Sequence, residues 1–523
     1  MSKKSGSCRT EAAKPIQPHR EPMQIKPQAA PGVDPFEAAR HAFEDMLAFV
    51  GGDRCPEHHA KIEAEIDTRG REVHRLVLQG RIDQLFAEES ARYRLRPPRG
   101  QVRVRPRQLE SIFGRVVVTR HGVRRAADRI SRFALDERLG LPREIYSLGL
   151  RRRVAEETRA QSWDQAVGRV DATTGGHVPK RQAEELVALA AQDFDAYYAE
   201  REQSEAANDT AGAKTLLALS CDGKGVAMRA AALRDATRKE AEEAARDDAR
   251  GDPTEVSAQR KHTKRMAIVT AVWDQKPLAR TADDIMRKLR GEGEAEAAVL
   301  PRPEHKRVAA SVEKSLAEGV AEMFDEADRR DPERARTTVV LVDGNEHQVA
   351  VVEEEATKRT RNITIVLDLL HALHYVWLAA MAVRRGDAKK ADVWVRERLR
   401  KLLTTEHPAE VISGIRQAAT IAGLSAEERE PVEKCAAYLM SNVSRICYAK
   451  FLAAGMPIAT GVIEGACRHL VQDRLGITGA RWGLQSAEAV LRLRALSTNG
   501  DWEAYWRFHL RKERERRKAR AAA

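Results

Sequence analysis

Residues 215–225, TLLALSCDGKG, and residues 337–344, TTVVLVDG, are apolar runs that each end in an aspartate followed by glycine. A continuous apolar run is typical of a strand buried on both faces. Each run therefore predicts a strand that carries an acid at its carboxyl end, Asp222 or Asp343, and Asp222 is expected to open a tight GKG turn. If the two strands are neighbours, the carboxylates repel each other and need a proton or a cation nearby.

A third acid is expected from a helix packed on the same sheet. Glu464 lies beside the apolar positions of the segment 460–476, TGVIEGACRHLVQDRLG, where an unpaired charge is costly, and Thr460 is the expected N-cap. Three such acids predict a site for Mg²⁺, with Mn²⁺ as a substitute, and metal pairs suit in-line displacement at phosphorus. Asp-Gly is also a common turn, so either aspartate alone is explained equally by a turn.

Further apolar runs extend the predicted sheet. Residues 266–273 (MAIVTAVW) and 363–367 (ITIVL) predict two more buried strands, and helical patterns lie between the last strands. We therefore expect an α/β core with a mixed sheet. Residues 369–456 are almost wholly helical by pattern, and further helices are expected within 460–497.

The composition favours a polyanionic partner. The 523 residues contain 90 Lys and Arg against 78 Asp and Glu, a net charge of +12. The six cysteines form no CxxC pair, no run of about 18 apolar residues occurs, and no secretory signal is visible, so we expect a cytoplasmic protein without a membrane partner. Cys55, His58 and His59 suggest zinc only weakly, because no second cysteine pair is nearby.

The N-terminal third is expected to be mainly helical. Residues 1–33 are polar and predict disorder, while amphipathic patterns predict helices from Asp34 to about residue 50 and over roughly 60–92. Residues 101–120 predict short strands. Arginine alternates with valine at 101–105, which fits either a face turned to phosphates or a solvated edge.

Two helices at 152–169 and from about 178 onward flank the polar break DATTGGH. Their size resembles a helix-turn-helix, in which the second helix would present Lys180 and Arg181 to DNA at its N-terminal end. Many helical hairpins of this size bind nothing, so that alternative stays open.

Several segments together resemble a known family. CDGKGVAMR, VVLVDGNE, IVLDLLHALHYVW and GVIEGACRHLVQDRLGITGARW are similar to DDE transposases of bacterial insertion sequences of the ISKra type, and so are LVLQGRIDQLF, IFGRVVVTRHGVRRAADRI, LPREIYS and VPKRQAEELV. The resemblance covers roughly residues 35–500. It implies an RNase H-like catalytic fold whose acidic triad is Asp222, Asp343 and Glu464.

The resemblance also implies residues that touch DNA. The 120 residues between Asp343 and Glu464 indicate a helical insertion, an arrangement similar to that of hAT and Mutator-like transposases. Asp368-Leu-Leu-His371 matches their Cys/Asp-x-x-His motif; the alternative for Asp368 is an ordinary helix N-cap.

Basic and aromatic residues near the Glu464 helix are further candidates for DNA contacts. Arg468, Arg481 and Trp482 follow the third acid, and arginines there would bind phosphates. Arg468 fits a solvated face equally well. Residues 507–523 are expected to form a basic tail, either solvated or in non-specific contact with DNA.

These features predict seven segments along the chain. They are a disordered tail (1–33), a helical and short-strand region (34–150), a helix-turn-helix-like region (151–205), the first part of the RNase H-like core (206–368), a helical insertion (369–456), the final core helices (457–500) and a basic tail (501–523). The predicted activity is Mg²⁺-dependent cleavage of insertion-sequence ends in double-stranded DNA and joining of their 3′-hydroxyls to target DNA by a homo-oligomer. The alternatives are a catalytically silent DNA-binding repressor and an RNase H-like repair or recombination nuclease.

Overall fold

The structure is a computed structural model that describes residues 34–125, 131–205, 215–248, 263–289, 302–459 and 461–522. The expected disorder of residues 1–33 and the expected N-cap at Thr460 lie outside the described residues. The chain divides into two units, the first up to residue 109 and over 115–139, the second over 110–114 and 140–523.

The first unit combines helices with a two-stranded sheet. Its elements are α1 (Glu37–Val50), α2 (His59–Leu95), β1 (Gln101–Ser111), β2 (Gly114–Arg124) and α3 (Ala134–Leu139), with β1 paired to β2. The two predicted helices are confirmed. The strands expected within 101–120 are also present, although each is 11 residues long rather than short.

A five-stranded mixed sheet is the centre of the second unit. Its strands are β3 (Leu216–Ala227), β4 (Lys264–Gln275), β5 (Glu304–Ser311), β6 (Thr338–Val342) and β7 (Ile363–Leu367), in the spatial order β5-β4-β3-β6-β7. β4 runs antiparallel to β3 and to β5, whereas β3, β6 and β7 are parallel. The expected α/β class with a mixed sheet is confirmed; β5 was not predicted.

Both faces of this sheet are covered, which explains the continuous apolar runs. On β3, Leu217 and Leu219 pack on one face with Phe324 and Val352. Ala218 belongs to the larger core on the opposite face, and that core also contains helices of the block 369–456. The helical block therefore shares its buried core with the sheet.

The helices of the second unit surround the sheet. They are α4 (Leu148–Thr158), α5 (Trp163–Thr173), α6 (Lys180–Ala191), α7 (Phe194–Glu205), α8 (Asp235–Asp248), α9 (Ala282–Leu289), α10 (Leu316–Arg330), α11 (Glu346–Lys358), α12 (Leu369–Val383), α13 (Ala388–Thr404), α14 (Pro408–Ile421), α15 (Glu430–Ser441), α16 (Tyr448–Ala453), α17 (Gly461–Ala466), α18 (Asp473–Leu475), α19 (Leu484–Thr498) and α20 (Trp502–Ala522). The predicted helical character of 369–456 is confirmed. Within the described segments, no helix is long and apolar enough to cross a bilayer.

Two expectations about local structure were wrong. The tight turn at Asp222 does not form, because β3 continues to Ala227 and pairs with β4 along its whole length, with Gly223 opposite Ile268. The single helix expected over 152–169 is two helices, α4 and α5, because Ser162 caps a new helix and shares a capping box with Gln165.

The basic C-terminal segment is a helix rather than a tail. In α20, Arg516 pairs with Asp193 through two hydrogen bonds of 2.6 and 2.8 Å, and Arg511 pairs with Glu200. His509 is fully buried, and its Nδ1 lies 2.6 Å from Asp193. Carboxylates of the same unit therefore neutralise part of the positive charge that we expected to contact DNA.

Candidate active site at the carboxyl edge of the sheet

Asp222 on β3 and Asp343 just after β6 each lie two residues beyond the last pair of these neighbouring parallel strands. Leu217 pairs with Thr338 and Ser220 with Leu341, a constant offset of 121 residues. The same offset places Asp222 opposite Asp343, and neighbouring strands are about 4.8 Å apart. The structure thus brings both predicted acids to one edge of the sheet, where each is half-buried.

The turn after β6 holds the backbone of Asp343. Gly344 has a φ of +82°, a conformation that favours glycine. Asn345 then caps α11 by accepting hydrogen bonds from the backbone N–H groups of His347 and Gln348. Tyr438 donates its hydroxyl to the Asp343 carbonyl oxygen at 2.5 Å. Because these contacts hold the backbone of consecutive residues, the direction of the chain at Asp343 is fixed.

Gln348, which the sequence pattern did not predict, connects the backbone of β3 to the residue that follows β6. Its side-chain nitrogen donates to the Cys221 carbonyl oxygen at 2.8 Å, and its side-chain oxygen accepts the Asp343 backbone N–H at 3.2 Å. Gln348 is buried, with 5% of its surface exposed. The sequence offered only a glutamine in the first turn of the helix after Asp343; its role follows from its burial, since buried amides normally hold specific partners.

The third predicted acid, Glu464, lies on the helix α17 rather than on a strand. It is exposed on α17, and the helix continues as a π-helical turn over Cys467–Gln472. Cys467 in this turn is buried and donates its thiol hydrogen to Asp222 Oδ2 at 3.3 Å. Burial and the nearby Asp222 carboxylate raise the pKa of the Cys467 thiol well above its usual range, and Glu464 adds to this effect. Glu464 and Asp222 therefore act on the same thiol.

The buried Cys221 lies close enough to both aspartates for their charges to affect the pKa of its thiol. Burial raises the pKa of its thiol to about 12, and the negative charges of Asp343 and Asp222 contribute further. Within the described part of the chain, none of Asp222, Asp343 and Glu464 forms an ion pair with a lysine, arginine or histidine. Lys224 is the nearby basic residue: its charge acts against the rise in the pKa of the Cys467 thiol, but it forms no ion pair with the three acids.

The three carboxyl groups are not arranged as a complete cation-binding site. Asp222 Oδ1 accepts the backbone N–H of Gly223 at 2.6 Å, and Asp343 Oδ1 accepts that of Asn345 at 2.9 Å. Among the residues that the structure describes, no set of three or more His, Cys, Asp or Glu side chains is placed to hold a metal ion. This also applies to the segment with Cys55. Metal binding by the triad stays a prediction.

Asp368 is at the same level as Asp343 on the next strand. The β6–β7 pairing has a constant offset of 25 residues, from Thr338 with Ile363 to Val342 with Leu367, which places Asp343 opposite Asp368. Asp368 is buried and caps α12 by accepting the Leu370 N–H at 2.8 Å, as the N-cap alternative predicted. His371 is exposed on the first turn of α12.

No protein-family model matches this chain, and no curated protein matches its sequence.

Trp482 is not available for DNA contact. It is 3% exposed, and its Nε1 donates to the Leu475 carbonyl oxygen at 3.2 Å. Its backbone N–H bonds to the Ala227 carbonyl oxygen at 3.0 Å, so the segment extends the pairing at the end of β3. The assignment of Trp482 to DNA binding was wrong, because the ring is part of the core.

The remaining basic candidates are exposed. Arg468 has a side chain that is 79% exposed and lies 3.7 Å from Asp473, and Arg481 is exposed. Lys180 and Arg181 occupy the first turn of α6, where Lys180 pairs with Asp164 at 2.8 Å and Arg181 lies 3.6 Å from Glu185. These four residues remain predictions as DNA contacts.

Proposed function

We propose that this protein is a metal-dependent DNA transposase of the DDE type, with Asp222, Asp343 and Glu464 as its catalytic acids. The observation that carries the proposal is that Asp222 and Asp343 both lie two residues beyond the last pair of the parallel strands β3 and β6. In addition, Cys467, three residues after Glu464, donates its thiol hydrogen to Asp222. These contacts support the assignment of three acids that are distant in the chain to one site.

The topology of the sheet supports an RNase H-like core. Numbered along the chain within the sheet, the spatial order is 3-2-1-4-5, the second strand is antiparallel to its neighbours, and the first, fourth and fifth are parallel. This is the order of an RNase H-like sheet. In open sheets, ligands bind outside the carboxyl ends of the parallel strands. Asp343 directly follows β6, and Asp222 lies on β3 just beyond its last residue paired with β6.

The residues at this edge fit a divalent cation chemically. Asp222, Asp343 and Glu464 offer oxygen ligands, and no basic side chain of the described segments pairs with them. Bound Mg²⁺ or Mn²⁺ would supply an activated water or 3′-hydroxyl and stabilise the leaving oxygen. Gln348 and Tyr438 would orient the acids through the backbone contacts described above. Arg481 and Arg468, both exposed, would bind phosphates beside the third acid.

The proposal extends to the substrate and the assembly. The net charge of +12 favours DNA as the polyanion. We propose that the protein binds the two ends of an insertion sequence as a homo-oligomer and acts at the bacterial nucleoid, with Lys180 and Arg181 among the contacts to the element ends.

The decisive experiment uses the full chain and a supercoiled plasmid that carries the DNA flanking the gene. The wild-type protein is expected to nick and join DNA with Mg²⁺ but not with EDTA, while Asp343→Asn loses about 10³-fold or more in rate because it removes a charge that the transition state needs. The matched control is Glu354→Gln, on the exposed face of α11, where the carboxylate pairs only with Lys358. This control is expected to act as the wild type.

Normal cleavage by Asp343→Asn would overturn the assignment of the acids. Hydrolysis without any joined product would indicate a nuclease of the same fold. Binding without nicking under every metal condition would indicate a catalytically silent repressor.

A further inference from the structure

A strongly basic segment lies mainly in the first unit. Residues 92–125 contain eleven arginines, no lysine and a single acid, Glu110, a net charge of +10. The whole chain of 523 residues has a net charge of +12. The end of α2 and the strands β1 and β2 therefore carry a net charge nearly as large as that of the whole chain.

Six of these arginines are exposed and have neither a carboxylate partner nor a cation–π contact among the described residues, whereas the exposed Arg92 lies over the Tyr93 ring. We call them the ribbon arginines: Arg94, Arg96, Arg99, Arg103, Arg105 and Arg124. Other arginines of the same unit do find acids. Arg120 pairs with Asp136, and Arg138 pairs with Glu88 at 3.0 Å. Clustered unpaired guanidinium groups repel one another, so the segment is electrostatically suited to an anionic partner.

β1 is the outer strand of this two-stranded sheet. The edge of β2 is occupied by α2, because the amide of Gln79 bonds to both the N–H and the C=O of Val117, at 2.8 and 2.9 Å. Residues 101–106 of β1 are exposed along their whole length. Alternate residues point to opposite faces, so Arg103 and Arg105 lie on one face while Val102 and Val104, 41% and 52% exposed, lie on the other.

We propose that the ribbon arginines and β1 form a binding surface for double-stranded DNA, with the β1–β2 ribbon in the major groove. This inference deepens the proposed function and rests on it for the choice of DNA. A two-stranded ribbon fits the major groove of B-DNA, which is about 12 Å wide. Arginine heads bind phosphates in a bidentate manner, and the exposed valines suit contact with thymine methyl groups.

Other occupants fit less well. A strand from another protein would need the open edge of β1, but Pro106 removes a backbone donor there and the arginines flank it. A membrane surface would require a wide apolar face, whereas Leu95, Val102 and Val104 are the exposed large apolar residues of 92–125. The major groove of duplex RNA is too deep and narrow for a ribbon.

The test measures binding of the full chain to a fluorescein-labelled random duplex of about 30 base pairs, in EDTA, by fluorescence anisotropy from about 50 to 200 mM KCl. Six phosphate contacts predict a slope of log affinity against log salt of at least about 5 in magnitude. Arg103→Gln with Arg105→Gln should reduce that slope by about 2 and weaken binding about 30-fold near 150 mM salt. Because both side chains are exposed and unpaired, thermal stability should not change.

The matched control removes two charges of the same unit that do not belong to the ribbon arginines. Arg81→Gln with Arg138→Gln alters side chains that are 51% and 48% exposed, both near Glu88, and should leave the slope unchanged. Equal effects of the two double variants, or wild-type binding by the ribbon variant, would overturn the proposal. Equal affinity for duplex RNA, or binding to phosphatidylserine vesicles in preference to DNA, would overturn the choice of partner. Since EDTA removes metal, a failure of the catalytic assignment leaves this result unaffected.

Discussion

Replacing Asp193 by asparagine tests whether α20 is clamped to the second unit or is a tail available to DNA. Asp193 is 4% exposed and stands between α6 and α7. Its carboxylate accepts two hydrogen bonds from Arg516 and lies 2.6 Å from the buried His509. His509 Nε2 lies 3.0 Å from Arg151 of α4. One carboxylate thus joins three parts of the unit.

The magnitude follows from the pKa of the carboxyl group. Burial alone would raise the pKa of Asp193, but the hydrogen bonds from Arg516 and His509 outweigh burial and lower it from 3.8 to about 2. A difference of this size corresponds to about 2 kcal/mol of folding free energy when the group is ionised in both states. Because the folded pKa is lowered, this contribution is complete above 3.8 and is lost as the pH falls towards 2.

The assay is urea unfolding followed by tryptophan fluorescence. All seven tryptophans lie in the second unit, so their emission reports on the part that contains Asp193. Asp193→Asn is expected to lower the free energy of unfolding by about 2 kcal/mol near neutral pH, with a smaller difference below the unfolded pKa. The control Asp195→Asn removes an exposed carboxylate, 3.1 Å from Arg492, and should cost less than about 1 kcal/mol. Equal losses for the two variants, or no loss for Asp193→Asn, would refute the clamp.

Two further outcomes are expected. Gly344→Ala should destabilise the protein by about 1–2 kcal/mol or more and reduce cleavage, because φ is +82° and a Cβ would lie 2.7 Å from Leu367 and 2.9 Å from the Tyr438 hydroxyl; urea unfolding and the plasmid assay measure both effects, and wild-type behaviour would contradict the role of the turn. Cys221 and Cys435, whose pKa values burial raises to about 12, should resist iodoacetamide at about pH 8 and react only in urea, as peptide mass spectrometry would show; rapid labelling of the folded protein would contradict their burial.

Local patterns were sufficient for the elements that bury a continuous apolar run. β3, β4, β6 and β7 all coincide with such runs, and α12–α16 occupy the block predicted as helical. β5 (Glu304–Ser311) escaped prediction because its first half, EHKR, is charged and largely exposed at the edge of the sheet. A pattern based on burial detects an edge strand poorly, since only part of it contacts the core.

The prediction of the site from the sequence was limited in a similar way. The chain order shows an acid at the end of each apolar run, but not that both runs pair with the offset that aligns Asp222 with Asp343, nor that Gln348 connects their ends. Those relations depend on strand register and on the side chain of a later helix. Both are determined by packing across more than 100 residues of sequence rather than by local preference.

Local chemistry was misleading where a distant partner overrode it. The dipeptide Asp222-Gly223 favours a turn, yet β4 pairs with both residues and keeps them extended. The Arg-rich C-terminal segment was predicted as a basic tail, but in the structure it is a helix whose arginines pair with Asp193 and Glu200. Composition and periodicity are properties of neighbouring residues, so they identify which segments are strands or helices. Burial of a ring such as Trp482, or neutralisation of a charge such as Arg516, arises only when residues hundreds of positions apart meet in the fold.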